Sequence, residues 1–374
     1  MTRESFTLGV EEEFLLVDAE SLRLRPQAED VLDDARNQME NQDQVDHDFR
    51  RCQVESGTAV CNTLDEVGAE IARLRAMLIA AAERNGSRLA ASGTHPFSHW
   101  SEEGGEITSK ESYLGIERDY QRLAREKIIC GCHVHVGIVD PDAAIQVLDR
   151  VRPWLSAILA LSVNSPFWLG EDTGYGSFRT EIWRRWPAAG TPQPFGSRPE
   201  YDRVVAVLLK TGSIDDPARL HWDVRPSHRY PTLEFRITDV GLTVDDALAV
   251  AGIVRALVRT CHAQALDGRP PSHPRAELLR MATWRAARYG LEGNLIDVAG
   301  ERSIPAAEML DTLLSFIRPA LEEHGEWDVI SDLVYRIIQG GSGAARQRSV
   351  FERSGRLEDV VDFMVDATAS PVGA

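Results

Sequence analysis

Positive charge is in short supply in this sequence. Only 41 Lys and Arg stand against 58 Asp and Glu, giving a formal net charge of −17 over 374 residues. A nucleic-acid-binding face needs a basic surplus, so that function class is excluded. Phosphate chemistry is not excluded, provided a metal ion carries charge between acidic side chains and phosphates. Long apolar runs are missing too. The most apolar stretch, DALAVAGIVRALVRTCHAQAL, is broken by Arg255 and Arg259 and falls short of the roughly 18 clean apolar residues of a membrane span. The opening MTRESFTLGVEEEF has no basic segment followed by an apolar one, which argues against a secretory signal. Cysteine is scarce and odd in number: Cys52, Cys61, Cys130, Cys132 and Cys261. Taken with that opening, it fits reduced thiols and a cytoplasmic location. Internal repeats, low-complexity tracts and long linkers are also absent.

Residues 1–240 mix strands with helices. FTLGVEEEFLLVD, FRRCQVESGTAVC, RLAASGTHP, KIICGCHVHVGIVD and YPTLEFRITDV read as strands. Thr63 and Glu66 form a T-x-x-E capping box that opens a helix, and Asn85-Gly86 closes it. Another helix runs from Pro141 to Ser162, with a kink expected at Pro153. The turn-rich stretch 165–199, with GEDTGYGS, is the expected covering loop. From 241 to 374 the pattern is mostly helical, beginning at a cap formed by Thr243 and Asp246. The connections do not repeat as βαβ units, so the expected class is α+β with a mostly antiparallel sheet.

Side chains two apart on a strand share a face. Glu11 and Glu13 therefore lie together, while Glu12 faces the side of Val10 and Phe14, where the sequence names no partner for it. The pair suits one or two metal ions; the alternative is a solvated edge strand whose charges block aggregation. In CGCHVHVG, Cys130 and Cys132 share one face with Val134 and Val136, and Gly131, His133, His135 and Gly137 share the other. One strand cannot then supply a four-ligand zinc site, and the cysteines read as small core residues. His133 and His135 read as a site with glycine-made room for a ligand, or as satisfied core groups. In LEFRITD, Glu234 and Arg236 lie opposite Leu233, Phe235 and Ile237. They form either an ion pair or a metal-binding carboxylate beside a phosphate-binding guanidinium. Glu55, with Asp48 seven residues earlier, adds further carboxylates. Oxygen-rich ligands with one or two imidazoles suit Mg²⁺ or Mn²⁺ rather than zinc. His95, the Trp183–Trp186 pair, Cys261 and His262 read as packing groups. QGGSGAARQR, carrying Arg346 and Arg348, is a phosphate-touching lid or a plain helix connection; no G-K-[ST] follows it, so it is not a P-loop.

Taken in order, GVEEEFLLVD, QVESGTAVC, CGCHVHVG, SFRTEIWRRWP, WDVRPSHRYPTLEFRITD and GSGAARQR resemble the carboxylate–amine ligases of the glutamate–cysteine ligase type 2 family. That family lies within the glutamine synthetase-like superfamily, and the resemblance covers nearly the whole chain. It implies a curved, mostly antiparallel sheet forming an active-site funnel backed by helices, in a single catalytic domain over 1–374. ATP and two or three Mg²⁺ ions are implied on the inner face. Glu11, Glu13, Glu55, His133 and Glu234 match metal ligands, and Asp48 stands where superfamily members usually have glutamate. His135 matches a group near the ATP phosphates, and Arg236 the arginine on the transferring phosphoryl group. Arg179 and Arg225 fall in motifs that meet substrate or nucleotide. The implied reaction joins a glutamate-like carboxylate to a cysteine-like amine through an acyl phosphate, and the implied assembly is a homodimer. A metal-dependent phosphate or amide hydrolase and a nucleotide-binding protein without turnover are the alternatives. Arg236 beside Glu234 favours the ligase over the hydrolase.

Overall fold

The computed structural model describes residues 5–102 and 105–373, so the first four residues of the opening stretch lie outside it. The strands are β1 (Leu8–Asp18), β2 (Val45–His47), β3 (Gln53–Gly57), β4 (Ser87–Ala90) and β5 (Gly131–Gly137). A short hairpin, β6 (Phe167–Trp168) and β7 (Glu171–Asp172), precedes β8 (Val224–Pro226) and β9 (Thr232–Asp239), and a second hairpin pairs β10 (Asn294–Asp297) with β11 (Arg302–Pro305). The main sheet runs β2-β3-β1-β5-β9-β8, with β4 also paired to β1. Every pairing in it is antiparallel, as the missing βαβ pattern implied.

Alternation along these strands divides the sheet into two chemically different faces. Val10, Cys132, Val134, Val136, Leu233, Phe235 and Ile237 are buried together with the helix Val244–Leu266 in the largest apolar cluster. Each such buried Val or Ile contributes roughly 1.5–3 kcal/mol relative to exposure. Glu12 lies on this apolar side, 2% exposed, and Arg75 answers its charge. Arg75, from the helix Leu64–Arg84, donates from Nε and Nη2 to the two Glu12 oxygens at 3.0 and 2.6 Å. Nη2 and Nη1 also donate to the carbonyls of Gly241 and Leu242 at 2.7 and 3.2 Å. That pair ties the central strand to the helical layer and to the end of β9.

Capping follows the sequence closely. Thr63 and Glu66 make both bonds of their box, and Thr243 and Asp246 make a second. The helix from Pro141 passes through a 3₁₀ turn at Arg152–Trp154 before resuming as Leu155–Ser162, where Pro153 has no N–H to give.

Two stretches differ from expectation, and a third settles an open alternative. The C-terminal part is interrupted by the β10–β11 hairpin, whose four-residue strands are too short to show alternation; Leu295 and Ile304 are its buried, paired residues. FRRCQVESGTAVC keeps strand structure only over Gln53–Gly57, because Arg50 is buried in a turn, donating to the carbonyls of Lys127 and Ala124 at 2.9 and 2.8 Å. QGGSGAARQR is a helix connection: Ser342 caps the helix Gly343–Ser354, Arg346 binds Asp246 at 2.6 Å, and Arg348 takes Asp172 in two bonds. Those arginines hold protein groups, and the second pins the β6–β7 hairpin of the expected covering loop.

His95 is a packing group, as expected. Its Nε2 lies 2.9 Å from the Leu22 carbonyl, and Nδ1 accepts from the backbone N–H groups of Phe97 and Ser98. Burial pushes its pKa down to about 4. An unfolded imidazole titrates near 6.5, so the unfolded chain binds the extra proton between those values. Stability present above pH 6.5 is therefore lost as pH falls toward 4, by up to roughly 3 kcal/mol for this one group. Urea midpoints at pH 7 and pH 5 should differ less in His95→Gln than in the wild type. Among the described residues no helix is long and apolar enough to cross a membrane, and all five cysteines are buried free thiols.

Candidate active site

The other face of the sheet is polar, and strand register brings its residues together. Glu11 stands opposite His133, Glu13 opposite Glu55, and Glu234 opposite both His135 and Arg225. Opposed Cβ atoms on one face lie about 4.5–5.5 Å apart, so residues far apart in sequence become neighbours. His133 Nδ1 is 3.1 Å from Glu11 Oε2, and His135 Nε2 is 3.4 Å from Glu11 Oε1 but poorly aligned for a hydrogen bond. Ligand atoms of Glu11, His135 and Glu234 lie within 4.8 Å of one another, and so do those of Glu11, Glu55 and His133. The two triads share Glu11.

A cavity of about 320 Å³ opens over this face, with Glu11, Glu13, Asp48, Glu55 and His133 on one wall. Glu13 and Asp48 stand outside both triads. Glu13 accepts the Gly131 N–H at 2.6 Å, and Asp48, just past β2, has a buried Oδ2 with no partner among the described residues. Arg225 donates from Nε to Glu234 at 2.9 Å and spends Nη1 on the carbonyls of Ala218 and Leu220. Arg236 donates from Nη1 to the same carboxylate, and its buried Nε has no partner among the described residues. Arg179 lines the cavity as well, but its guanidinium rests on the carbonyls of Arg236 and Ile237 at 3.3 and 3.5 Å.

Burial raises every carboxylate here, and the neighbours decide the final direction. At Glu11 burial is outweighed by His133 and His135, which hold it well below its ordinary range. Glu13 also ends low, because His133, Lys127 and Arg179 overcome its burial. Glu234 ends far below the carboxylate range, since Arg236 and Arg225 overcome burial. Glu55 has burial plus the negative charge of Glu11, Glu13 and Asp48, and is held well above it. Burial raises Asp48 to about 6, with Lys127 opposing and Glu13 adding. Burial and Arg236 lower His133; burial lowers His135 too, but Glu11 and Glu234 outweigh it and its pKa ends raised.

This donor set fits a hard divalent cation such as Mg²⁺ or Mn²⁺. Three carboxylates and two imidazoles form the triads, and His135 Nε2 is buried without a hydrogen bond. Thr232 Oγ1, 2.8 Å from His135 Nδ1, fixes the ring. Cys130 and Cys132 are buried away from the triads, at 0% and 1% exposure.

The glycines beside the histidines do not leave open space. A Cβ on Gly131 would strike the Arg179 guanidinium, and one on Gly137 would strike Thr7. Gly131→Ala should therefore displace Arg179 and cost roughly 1–3 kcal/mol of stability, measurable as a lowered urea midpoint. Three features of the site escaped the sequence reading: Thr232 behind His135, and at the cavity Lys127 and the grouping of His221 with Trp183 and Trp186. Alternation could have found the first two. Thr232 is two residues before Glu234, and Lys127, Ile129, Gly131 and His133 keep one parity.

The match to a ligase family over almost the whole chain makes this protein an ATP-dependent carboxylate–amine ligase, an enzyme that forms C–N bonds. The chain belongs to glutamate–cysteine ligase family 2 (GCS2), whose model matches residues 7–362. A Frankia alni protein named "Putative glutamate--cysteine ligase 2-2" is 41% identical over 99% of both chains. A Saccharopolyspora erythraea protein, with the same name but numbered 2-1, is 41% identical over 97% of this chain and 94% of its own. Two further relatives are longer, and this chain spans 42% of each. Among solved structures, the glutamate–cysteine ligase of Francisella tularensis in complex with AMP superposes with a TM-score of 0.72 at 12% identity. That match covers 98% of this chain and 90% of the other, and shows the shared fold.

Proposed function

We propose that this protein joins the carboxylate of a glutamate-like amino acid to a cysteine-like amine, using ATP and Mg²⁺, through an acyl phosphate. The proposal includes a cytoplasmic homodimer in which residues 1–374 work as one catalytic domain. The observation that carries it is a pair of ligand triads joined at Glu11, beside a cavity that Glu11 lines together with Arg225 and Arg236, both fixed on Glu234. An amidase would need the triads but has no use for that guanidinium pair.

In the reaction, an oxygen of the substrate carboxylate attacks the γ-phosphorus of ATP and ADP leaves. The amine nitrogen then attacks the acyl carbon, and phosphate departs with the carboxylate oxygen. Mg²⁺ held by Glu11, Glu55, His133, His135 and Glu234, with Glu13 and Asp48 facing the same space, would neutralise the phosphate oxygens. Arg236 supplies fixed positive charge to the phosphoryl group as its oxygens gain charge, at little reorganisation cost. Arg225 holds Glu234, and through it Arg236. Arg179 braces the backbone of Arg236 and Ile237. Trp183, Trp186, Phe49 and Tyr113 line the same cavity and keep water from the acyl phosphate.

The test mixes protein, ATP, Mg²⁺ and glutamate, with and without a panel of amines, and reads phosphate release and amide mass. Release that needs both amino acid and amine supports the proposal. Amide or phosphate ester hydrolysis without ATP would replace it with the hydrolase reading, and ATP binding without turnover would replace it with the binding-protein reading.

A further inference from the structure

Lys127 differs from the other cations of the cavity. Arg225 and Arg236 are engaged with Glu234, and Arg179 with backbone carbonyls. Lys127 is 8% exposed and lines the cavity, yet among the described residues its ammonium has no carboxylate or carbonyl in hydrogen-bond reach. Its close neighbours are aromatic faces instead: Phe49 at 4.9 Å and Trp183 at 5.5 Å from the ring centroids. A cation held on ring faces keeps its full charge and its three donors. Further polar atoms on the same wall also lack partners. Trp183 Nε1, Trp186 Nε1 and His221 Nδ1 are buried and unpaired among the described residues, although folded proteins leave few such groups. The three rings stand together, with His221 4.8 Å from Trp183 and 5.7 Å from Trp186.

The cavity therefore has two separate places for anions. One is the pair of triads with Arg236; the other is this aromatic wall, whose ammonium acts on Glu13 and Asp48 through space but hydrogen-bonds to neither. A nucleobase would use the ring faces but would have no need of the charge. We propose that Lys127 binds the second, non-reacting carboxylate of the amino-acid substrate, and so selects an amino dicarboxylate over a monocarboxylate. This rests on the ligase reading above and assigns its substrate specificity to a residue outside the metal triads. The reacting carboxylate lies at the triads, and Lys127 anchors the far end of the same molecule.

The experiment is calorimetry on the full chain with ADP and Mg²⁺ present, titrating L-glutamate and 4-aminobutyrate. The second compound keeps an amine and the reacting carboxylate but lacks the other carboxylate. Lys127→Met preserves the stem on the rings and removes the charge; Lys127→Arg preserves the charge. The wild type should prefer glutamate. The Met variant should lose glutamate affinity by roughly 10- to 100-fold, as expected for one charge-assisted hydrogen bond, with 4-aminobutyrate affinity unmoved. The Arg variant should recover most of the preference. Equal losses for both compounds, or a preference that survives in the Met variant, would overturn the proposal, as would a wild type that does not discriminate. Failure of the ligase reading would show separately, as absence of amide product in the turnover assay.

Discussion

Replacing Arg236 by methionine should lower kcat for phosphoryl transfer by roughly 10³- to 10⁵-fold, the range for losing an arginine that stabilises a transferring phosphoryl group. The protein should remain folded, because Glu234 keeps Arg225 as a bonded counter-charge at 2.9 Å. Arg236 sits on β9 two residues from Glu234, donates to it, and keeps a buried Nε with no partner among the described residues. Lysine should recover little, since an ammonium cannot hold Glu234 and reach a phosphoryl oxygen with one planar fork. Steady-state ADP release and a urea melt on the same preparations check both halves. Near-wild-type turnover in the Met variant would remove Arg236 from the mechanism.

The second large effect is on stability. Arg75→Met should cost about 3–5 kcal/mol, because it leaves the Glu12 carboxylate buried without its bidentate partner. The double variant Glu12→Leu/Arg75→Met should recover most of that loss, since well-packed apolar replacements of a buried ion pair are often neutral. Urea unfolding of the two single variants and the double variant measures the coupling. Additive losses would mean that the two side chains act independently and that the contact contributes little.

These two variants also show how far the sequence could be read. Period-2 alternation was enough to place Glu11, Glu13, His133, Glu234 and Arg236 on polar faces, because strand geometry fixes side-chain direction. It also showed that Glu12 faced the core. It could not name Arg75, which is 63 residues away and reaches Glu12 only once the helix Leu64–Arg84 packs on the sheet. Caps were legible because their signals are local. Register was not: that Glu13 meets Glu55, or that His135 meets Glu234, depends on strand pairing over long separations. The resemblance placed His135 near the ATP phosphates; that its Nε2 also lies within 4.8 Å of ligand atoms of Glu11 and Glu234 follows from pairing that no local pattern shows. Short elements were lost for a related reason. The β10–β11 strands have four residues each, and two periods of alternation do not stand out from chance. Whether QGGSGAARQR touches phosphate or merely connects helices stayed open because Asp172 and Asp246, the partners of its arginines, lie far upstream.

Activation of a carboxylate by phosphoryl transfer is the central step of the proposed reaction, and isotope transfer reads it directly. Substrate amino acid labelled with ¹⁸O in its reacting carboxylate is incubated with enzyme, ATP, Mg²⁺ and a competent amine, and the released phosphate is examined by mass spectrometry. If the carboxylate attacks the γ-phosphorus, each amide formed leaves one ¹⁸O in its phosphate. Amide or phosphate formed with no ¹⁸O in the phosphate would contradict an acyl phosphate and, with it, the phosphoryl-transfer roles of Arg236 and the two triads.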